Sequence, residues 1–278
     1  MAQHTDVHLA VIGGSGLYEL EGLEVIGEEY PETPWGFPAD RIVIARASAN
    51  GPKIAFLARH GRKHQFSPSE VPNRANIAAL KHLGVGTIIS FSAGIRESSF
   101  FEGGILAHAS FADPFNATLA NIIARHAEAL GEDSVLHRSK TVVSIEGPAF
   151  STRAESHLYR AWNCDVINMT AIPEAKLARE AEIAYQMVCM STDYDCWKES
   201  EEAVTVQAVM EVMKKNSLKA RALIRVVIDS LAETSEHHEV AATVQGSMEF
   251  AIMTPPVHRP AESSAKLRYI LPQYFPEA

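Results

Sequence analysis

The chain has 278 residues, 46% of them hydrophobic, enough to bury a sizeable core and too apolar for a disordered segment. Its formal charge of −9 argues against a binder of nucleic-acid backbones, which recruits a basic face, so any anion site must be local. Three cysteines (Cys164, Cys189, Cys196) with no CxxC pair exclude a disulfide framework, the twelve histidines contain no HExxH metal motif, and no run of 18 apolar residues marks a membrane span.

Short apolar runs rich in β-branched residues alternate with helical patterns along the chain. HLAVI (8–12) predicts a first strand running into Gly13, Gly14, Ser15 and Gly16. RIVIARA (41–47) and KIAFLA (53–58) predict two more, the second emptying into RHGRKH (59–64). NRANIAALKHLG predicts a helix closed by Gly84, and GTIISFS (86–92) a strand leading to Ser92 and Ala93. TVVSI (141–145) and DVINM (165–169) flank a helix over TRAESHLYRAW, in which Thr152 and Glu155 have capping-box spacing and Ala154, Leu158 and Trp162 share a face. PEAKLAREAE starts a helix with Pro173 in its first turn, and YQMVCM (185–190) reads as the last strand. Apolar spacing through Val209, Val212 and Leu223 predicts a long helix from about Val204 to Leu231, after which the pattern fades into a tail with five prolines. The alternation predicts an α/β fold: a single domain (1–278) with a mixed, twisted sheet flanked by helices, its core about 8–232 and its tail about 233–278.

Several segments carry chemistry. The loop after the first strand offers backbone N–H groups and the Ser15 hydroxyl to a phosphate, or is a plain tight turn; it breaks the GxGxxG fingerprint of dinucleotide binders because position 19 is Glu. RHGRKH is a concentrated basic loop in an acidic chain, read either as a solvated surface or as an anion clamp. STDYDCW (191–197) sets Asp193 and Asp195 two apart, so that on an extended chain they face one ligand; a polar turn is the plainer alternative.

Taken together, IGGSGL, FLARHGRKH, the run from IEGPAFSTRAES into WNCDVINMT, and STDYDCWKESEEAV resemble the purine nucleoside phosphorylase superfamily, and within it the enzymes that cleave methylthioadenosine. The resemblance covers nearly all of positions 8 to about 230. It implies a purine nucleoside phosphorylase-like fold, phosphorolysis of 5′-methylthioadenosine to adenine and 5-methylthioribose 1-phosphate, and a homotrimer. It also implies no metal and no organic cofactor, inorganic phosphate being the co-substrate. By the same resemblance Ser15, Arg59, His60, Ser92, Ala93 and Thr170 contact phosphate and ribose. Phe150 and Met169 flank base and sugar, and Asp193 and Asp195, with Tyr194 between them, meet the purine. Ser151, Val206 and Val209 fall at specificity positions, the valines on the wall that receives the methylthio group. His108 corresponds to a residue lent by a neighbouring subunit. Asp193 is expected to protonate N7 of the leaving base and Asp195 to accept from its 6-amino group.

One stretch departs from the family. FSAG runs directly into IRESSFFEGG, and about two dozen residues, among them a strand, are missing between Ala93 and Ser98 by comparison with the family. Three accounts fit: an error in the gene model, an isoform without catalysis, or a rearranged but working enzyme. The functional alternatives are therefore a catalytically impaired nucleoside-binding isoform and a phosphorylase of other base specificity. No nucleic-acid or membrane partner is expected, and the expected location is the cytoplasm, with the nucleus also open to a chain of this size.

Overall fold

The computed structural model describes residues 6–13, 23–46, 51–62, 65–66, 70–90, 98–147, 149–198, 206–233 and 236–277, with the backbone alone for 206–210 and 233. In chain order the elements are β1 (Val7–Gly13), β2 (Glu24–Glu29), β3 (Ile42–Arg46), β4 (Lys53–Ala58), α1 (Asn73–His82), β5 (Thr87–Ser90), α2 (Ala117–Arg125), β6 (Val142–Ser144) and α3 (Arg153–Ala161). There follow β7 (Val166–Asn168), α4 (Ala171–Glu180), β8 (Ala184–Met187), α5 (Val206–Glu233), α6 (Glu236–Ala242) and α7 (Ala261–Arg268).

Six strands form one mixed sheet in the order β2-β3-β4-β1-β5-β8, and β6 and β7 form a separate parallel pair. β1, β4, β5 and β8 run parallel, whereas β3 is antiparallel to both β2 and β4. The central strands are buried on both faces, which is why they read as continuous apolar runs rather than as alternations. One face, carrying Ile12, Ile44, Leu57 and Ile88, packs on α1, α4 and α7; the other, carrying Val11, Ile54, Phe56 and Ile89, packs on α2, α5 and α6.

Local signals set the helix ends. After α1 the chain closes a Schellman turn, with Gly84 N–H donating to the Lys81 carbonyl and Val85 N–H to that of Leu80. Gly84 takes the φ of +95° that this turn needs. The Thr152/Glu155 capping box is formed at the start of α3. Its apolar face, however, is turned outward: Leu158 and Trp162 are exposed, and the buried residue of α3 is Ser156.

Three departures from the sequence reading have physical causes. The last strand ends at Met187 rather than Met190, since among the described residues its pairing with β5 runs only as far as Ser90 opposite Met187. β2 was not foreseen: EVIGEE is an edge strand with Val25 in solvent, so no alternation betrays it. The C-terminal stretch is not a loose tail, for Val240, Met248, Leu267, Ile270, Leu271 and Phe275 are buried in the two cores. Its burial is spread over turns and two short helices, α6 and α7, each with one buried residue, which gives no periodic signal.

Candidate active site

Four parallel strands release their chains at one sheet edge. β1 ends at Gly13, level with Ala58 of β4, and Arg59 N–H donates to the Gly13 carbonyl at 3.1 Å. β5 ends at Ser90, level with Ile12 of β1 on one side and Met187 of β8 on the other. In sheets of this kind the edge beyond the strands' carboxyl ends is where ligands bind.

Arg59 is not a solvated cation. It is 1% exposed, and its Nη2 donates to Ser90 Oγ at 2.7 Å while its Nε donates to Glu174 Oε1. Glu174, 2% exposed, also accepts from Ser90 Oγ at 2.6 Å and from the Tyr185 hydroxyl at 2.9 Å. Burial first, then the Glu174 charge, pushes the Tyr185 phenol well above its ordinary pKa, so it stays a donor. Thr170, at the start of α4 and fully buried, completes this region; its hydroxyl has no partner among the described residues. His60 and Arg62 of the basic loop do different work, and Lys63 and His64 lie outside the described residues. Arg62 turns away to pair with Glu28 at 2.8 Å and Asp40 at 3.2 Å, so the loop is not a uniform anion trap. His60 is half-buried with its ring Nδ1 3.0 Å from the Phe66 carbonyl.

The remaining motifs meet around the ends of β7 and β8. Asn168 Oδ1 accepts from the N–H groups of Thr170 and Ala171, both at 2.7 Å, and its amide lies 3.9 Å from Cys189 Sγ. Met169 packs on Gly147, whose φ of +65° and lack of a side chain leave room; a Cβ there would lie 2.8 Å from the Met169 sulfur. The start of α3 docks on the loop of the two aspartates: Arg153 donates to the Cys196 carbonyl, the Cys196 thiol to the Ser151 carbonyl at 3.6 Å, and the Arg160 guanidinium lies 3.6 Å from the Trp197 ring centre. From the other side, Asn216 of α5 donates to the Ser191 carbonyl at 2.8 Å.

Asp195 is half-buried and its Oδ2 has no partner among the described residues, as is true of Ser151 Oγ. Asp193 is exposed and accepts from Thr192 Oγ1 at 2.5 Å. Tyr194 is exposed, and Phe150 is 88% exposed. His108 is exposed on a segment tied to Ala251, with its N–H donating to that carbonyl at 2.9 Å. Ser15, Ser92 and Ala93 lie outside the described residues, and Val206 and Val209 lie on α5 where only the backbone is described. Reading the sequence missed Glu174, Ser90, Tyr185 and Asn168. Glu174 carried a signal: it stands where Ala171, Ala175 and Ala178 build a buried helix face, and a carboxylate there needs a partner.

A family profile described as the phosphorylase superfamily matches residues 93–229. A curated relative from Fusarium vanettenii, named S-methyl-5′-thioadenosine phosphorylase, is 48% identical over 301 aligned positions, covering 98% of this chain and 96% of its own. One of the same name from Schizosaccharomyces pombe is 45% identical, covering 97% of each chain. Among solved structures, a methylthioadenosine phosphorylase from an antarctic soil metagenomic library shares 39% identity at a TM-score of 0.83, covering 96% of this chain and all of its own. A variant adenosine/methylthioadenosine phosphorylase from Schistosoma mansoni, in complex with methylthioadenosine, shares 26% identity at a TM-score of 0.77, covering 89% of this chain and 99% of its own. Because 301 aligned positions exceed 278 residues, at least 23 positions of the Fusarium alignment face no residue of this chain. That size matches the segment expected to be missing between Ala93 and Ser98, a place within residues 91–97, outside those described.

Proposed function

The chain belongs to the S-methyl-5′-thioadenosine phosphorylase family, and from that premise we propose that it cleaves S-methyl-5′-thioadenosine with inorganic phosphate, giving adenine and 5-methylthioribose 1-phosphate. One observation carries the reading to particular atoms. Buried polar atoms are almost always paired, yet Thr170 Oγ1, Ser151 Oγ and Asp195 Oδ2, in three separate motifs of the family, are buried without partners among the described residues. Orphaned atoms occur elsewhere too, Thr87 Oγ1 among them.

In this reading Arg59, held by Glu174 and Ser90, and Thr170 orient phosphate below the anomeric carbon, with Ser15, His60, Ser92 and Ala93 completing the clamp. A phosphate oxygen forms the new bond to the anomeric carbon as the ribosyl C–N9 bond breaks, and positive charge builds on the sugar between them. The electron pair of the broken bond flows into the purine, where Asp193 delivers a proton to N7. Asp195 accepts from the 6-amino group, which favours adenine over 6-oxopurines. Phe150, Met169 and Tyr194 cover base and sugar. Ser151, Val206 and Val209 set the preference for the apolar methylthio group. Ligand and a neighbouring subunit then supply the burial that Asp193 lacks in the isolated chain.

Assembly as a homotrimer, with His108 reaching a neighbour's pocket, belongs to the same reading. The outward apolar face of α3, with Leu158 and Trp162, supports it, since such a face is normally covered. Three unpaired cysteines support a reducing, cytoplasmic or nuclear location. No metal or organic cofactor enters the scheme.

The test is release of free adenine from methylthioadenosine with and without phosphate, and from adenosine and inosine in parallel. The expected result is phosphate-dependent release, fastest with methylthioadenosine and slowest with inosine. Release independent of phosphate, or none from a folded chain, overturns the reading.

A further inference from the structure

The loop that carries the two aspartates closes a tight turn, in which Lys198 N–H donates to the Asp195 carbonyl at 3.2 Å. Cys196 and Trp197 are the central residues of that turn, and α3 holds both of them. Arg153 donates to the Cys196 carbonyl, and the Arg160 guanidinium lies over the Trp197 ring, 3.6 Å from its centre. Arg153 and Arg160 are about two helical turns apart, so they share one face of α3 with Ser156, its buried residue, between them. Leu158 and Trp162 stand on another face, turned outward.

This grip reaches the residues assigned to the base. Asp195 opens the turn, so its backbone is set by where Cys196 and Trp197 are held. Its Oδ2 is buried without a partner among the described residues, and an oxygen in that state is aimed by its backbone rather than by a neighbour. Two rings bracket it in the chain. Tyr194 packs edge-on to Trp197, with centres 6.2 Å apart, and Lys198 Nζ lies 3.6 Å from the centre of Tyr194. The stack thus runs Arg160, Trp197, Tyr194, Lys198, with a cation at each end and two rings between. Cys196 adds a tie to the segment before α3, its thiol donating to the Ser151 carbonyl at 3.6 Å. The capping box fixes the next residue, Thr152, so Ser151 and Asp195 are set in one frame whose rigid member is α3.

We propose that Arg160, together with Arg153, is a positioning residue for recognition of the base. The two arginines hold the turn so that the Asp195 carboxylate meets the 6-amino group, and in this way they set the preference for a 6-aminopurine over a 6-oxopurine. The inference rests on the proposed reaction, in which Asp195 accepts from that amino group, and neither arginine touches substrate. Its signature is selectivity. Loosening the turn lets the carboxylate drift and costs the 6-amino contact, whereas a 6-oxopurine, which offers no donor at that position, has little to lose.

The experiment titrates adenine and hypoxanthine by calorimetry into the full 278-residue chain and into its Arg160→Ala, Arg160→Lys and Arg153→Ala/Arg160→Ala variants. Amide hydrogen exchange at Lys198, with no ligand present, reads the turn itself. Both arginines are exposed, so the variants should keep the circular dichroism and melting temperature of the parent. Arg160→Ala should weaken adenine about threefold and the double variant about tenfold, with hypoxanthine changing less than about twofold. Arg160→Lys, which keeps a cation for the ring, should bind adenine more tightly than Arg160→Ala. Exchange at the Lys198 amide should quicken about threefold or more in Arg160→Ala. In an Asp195→Asn background the same substitution should change adenine affinity less than about twofold, because the residue it acts through is gone. Unaltered exchange at Lys198, equal weakening of the two bases, or a full effect in the Asp195→Asn background overturns the proposal. A parent chain that binds neither base refutes the reading of the site on which the proposal rests, whereas one that binds adenine no better than its Arg160→Ala variant refutes the proposal alone.

Discussion

Glu174→Gln is the sharpest probe of how the arginine of the candidate site is held. Arg59 and Glu174 are both almost completely buried, and the carboxylate also receives Ser90 and Tyr185. The amide keeps the volume but removes the charge, and one of its two ends becomes a donor facing donors. Breaking a buried ion pair from one side costs about 3–5 kcal/mol, because the remaining charge is stranded. Against a total domain stability of about 5–15 kcal/mol that is a large fraction. With a urea m-value of about 3 kcal/mol/M the midpoint falls by about 1–1.7 M. Urea titration followed by far-UV circular dichroism measures this. Inorganic phosphate provides a second arm, since an anion that reaches Arg59 compensates the stranded charge. At 100 times its Kd a ligand adds about 2.7 kcal/mol through binding alone, and the gain should be larger in the variant than in the parent chain. A loss below about 1 kcal/mol refutes the ion-pair argument; a large loss that phosphate offsets no better than in the parent removes Arg59 from the phosphate site.

Other substitutions test separate parts of the argument. Asp193→Asn should lower kcat on methylthioadenosine by about two orders of magnitude, and near-normal turnover would take it out of the acid role. Asp195→Asn should lower kcat/KM by about 10- to 100-fold and narrow the preference for adenosine over inosine, read by adenine or hypoxanthine release. Asp40 anchors the basic loop: burial raises its pKa, but hydrogen bonds from the Arg62 side chain, the Arg62 N–H and the Arg41 N–H outweigh that and hold the carboxyl below its ordinary value. A folded pKa below the unfolded value of about 3.9 gives stability that is present above that value and is lost as pH falls through the lower, folded one. The urea-measured gap between the parent chain and Asp40→Asn should therefore stay constant down to about pH 5 and close below about pH 4; a gap unchanged at low pH contradicts the assignment. Asn116→Ala removes the cap that accepts from Leu119 N–H at 2.9 Å, and should cost about 1 kcal/mol in the same assay.

How much of this was legible before the fold was known depends on the kind of interaction. KIAFLA marks β4 residue for residue, since a strand buried on both faces has no choice but to be apolar along its length. Thr152 and Glu155 announced the start of α3 because a capping box is a contact between residues three apart. The outward turn of Leu158 and Trp162 was not legible, because periodicity says that residues share a face and not what the face meets. Nor was the pairing of Arg62 with Glu28 and Asp40, which divides the basic loop into an inward arginine and an outward one.

By itself, the sequence determined the local and the chemical: which runs become strands and helices, that a basic loop follows the strand KIAFLA, and that two carboxylates stand two residues apart. Those features depend on neighbours within a few positions, or on side-chain types that no other residue replaces. The tertiary structure alone decided that Glu174, 115 residues from Arg59, holds it. It also decided that, among the described residues, Ser151, Thr170 and Asp195 leave buried atoms without partners and β8 is the last strand of its sheet, beside a groove. Burial, charge pairing and strand order are set by what long-range packing brings next to a residue, and no spacing along the chain encodes that.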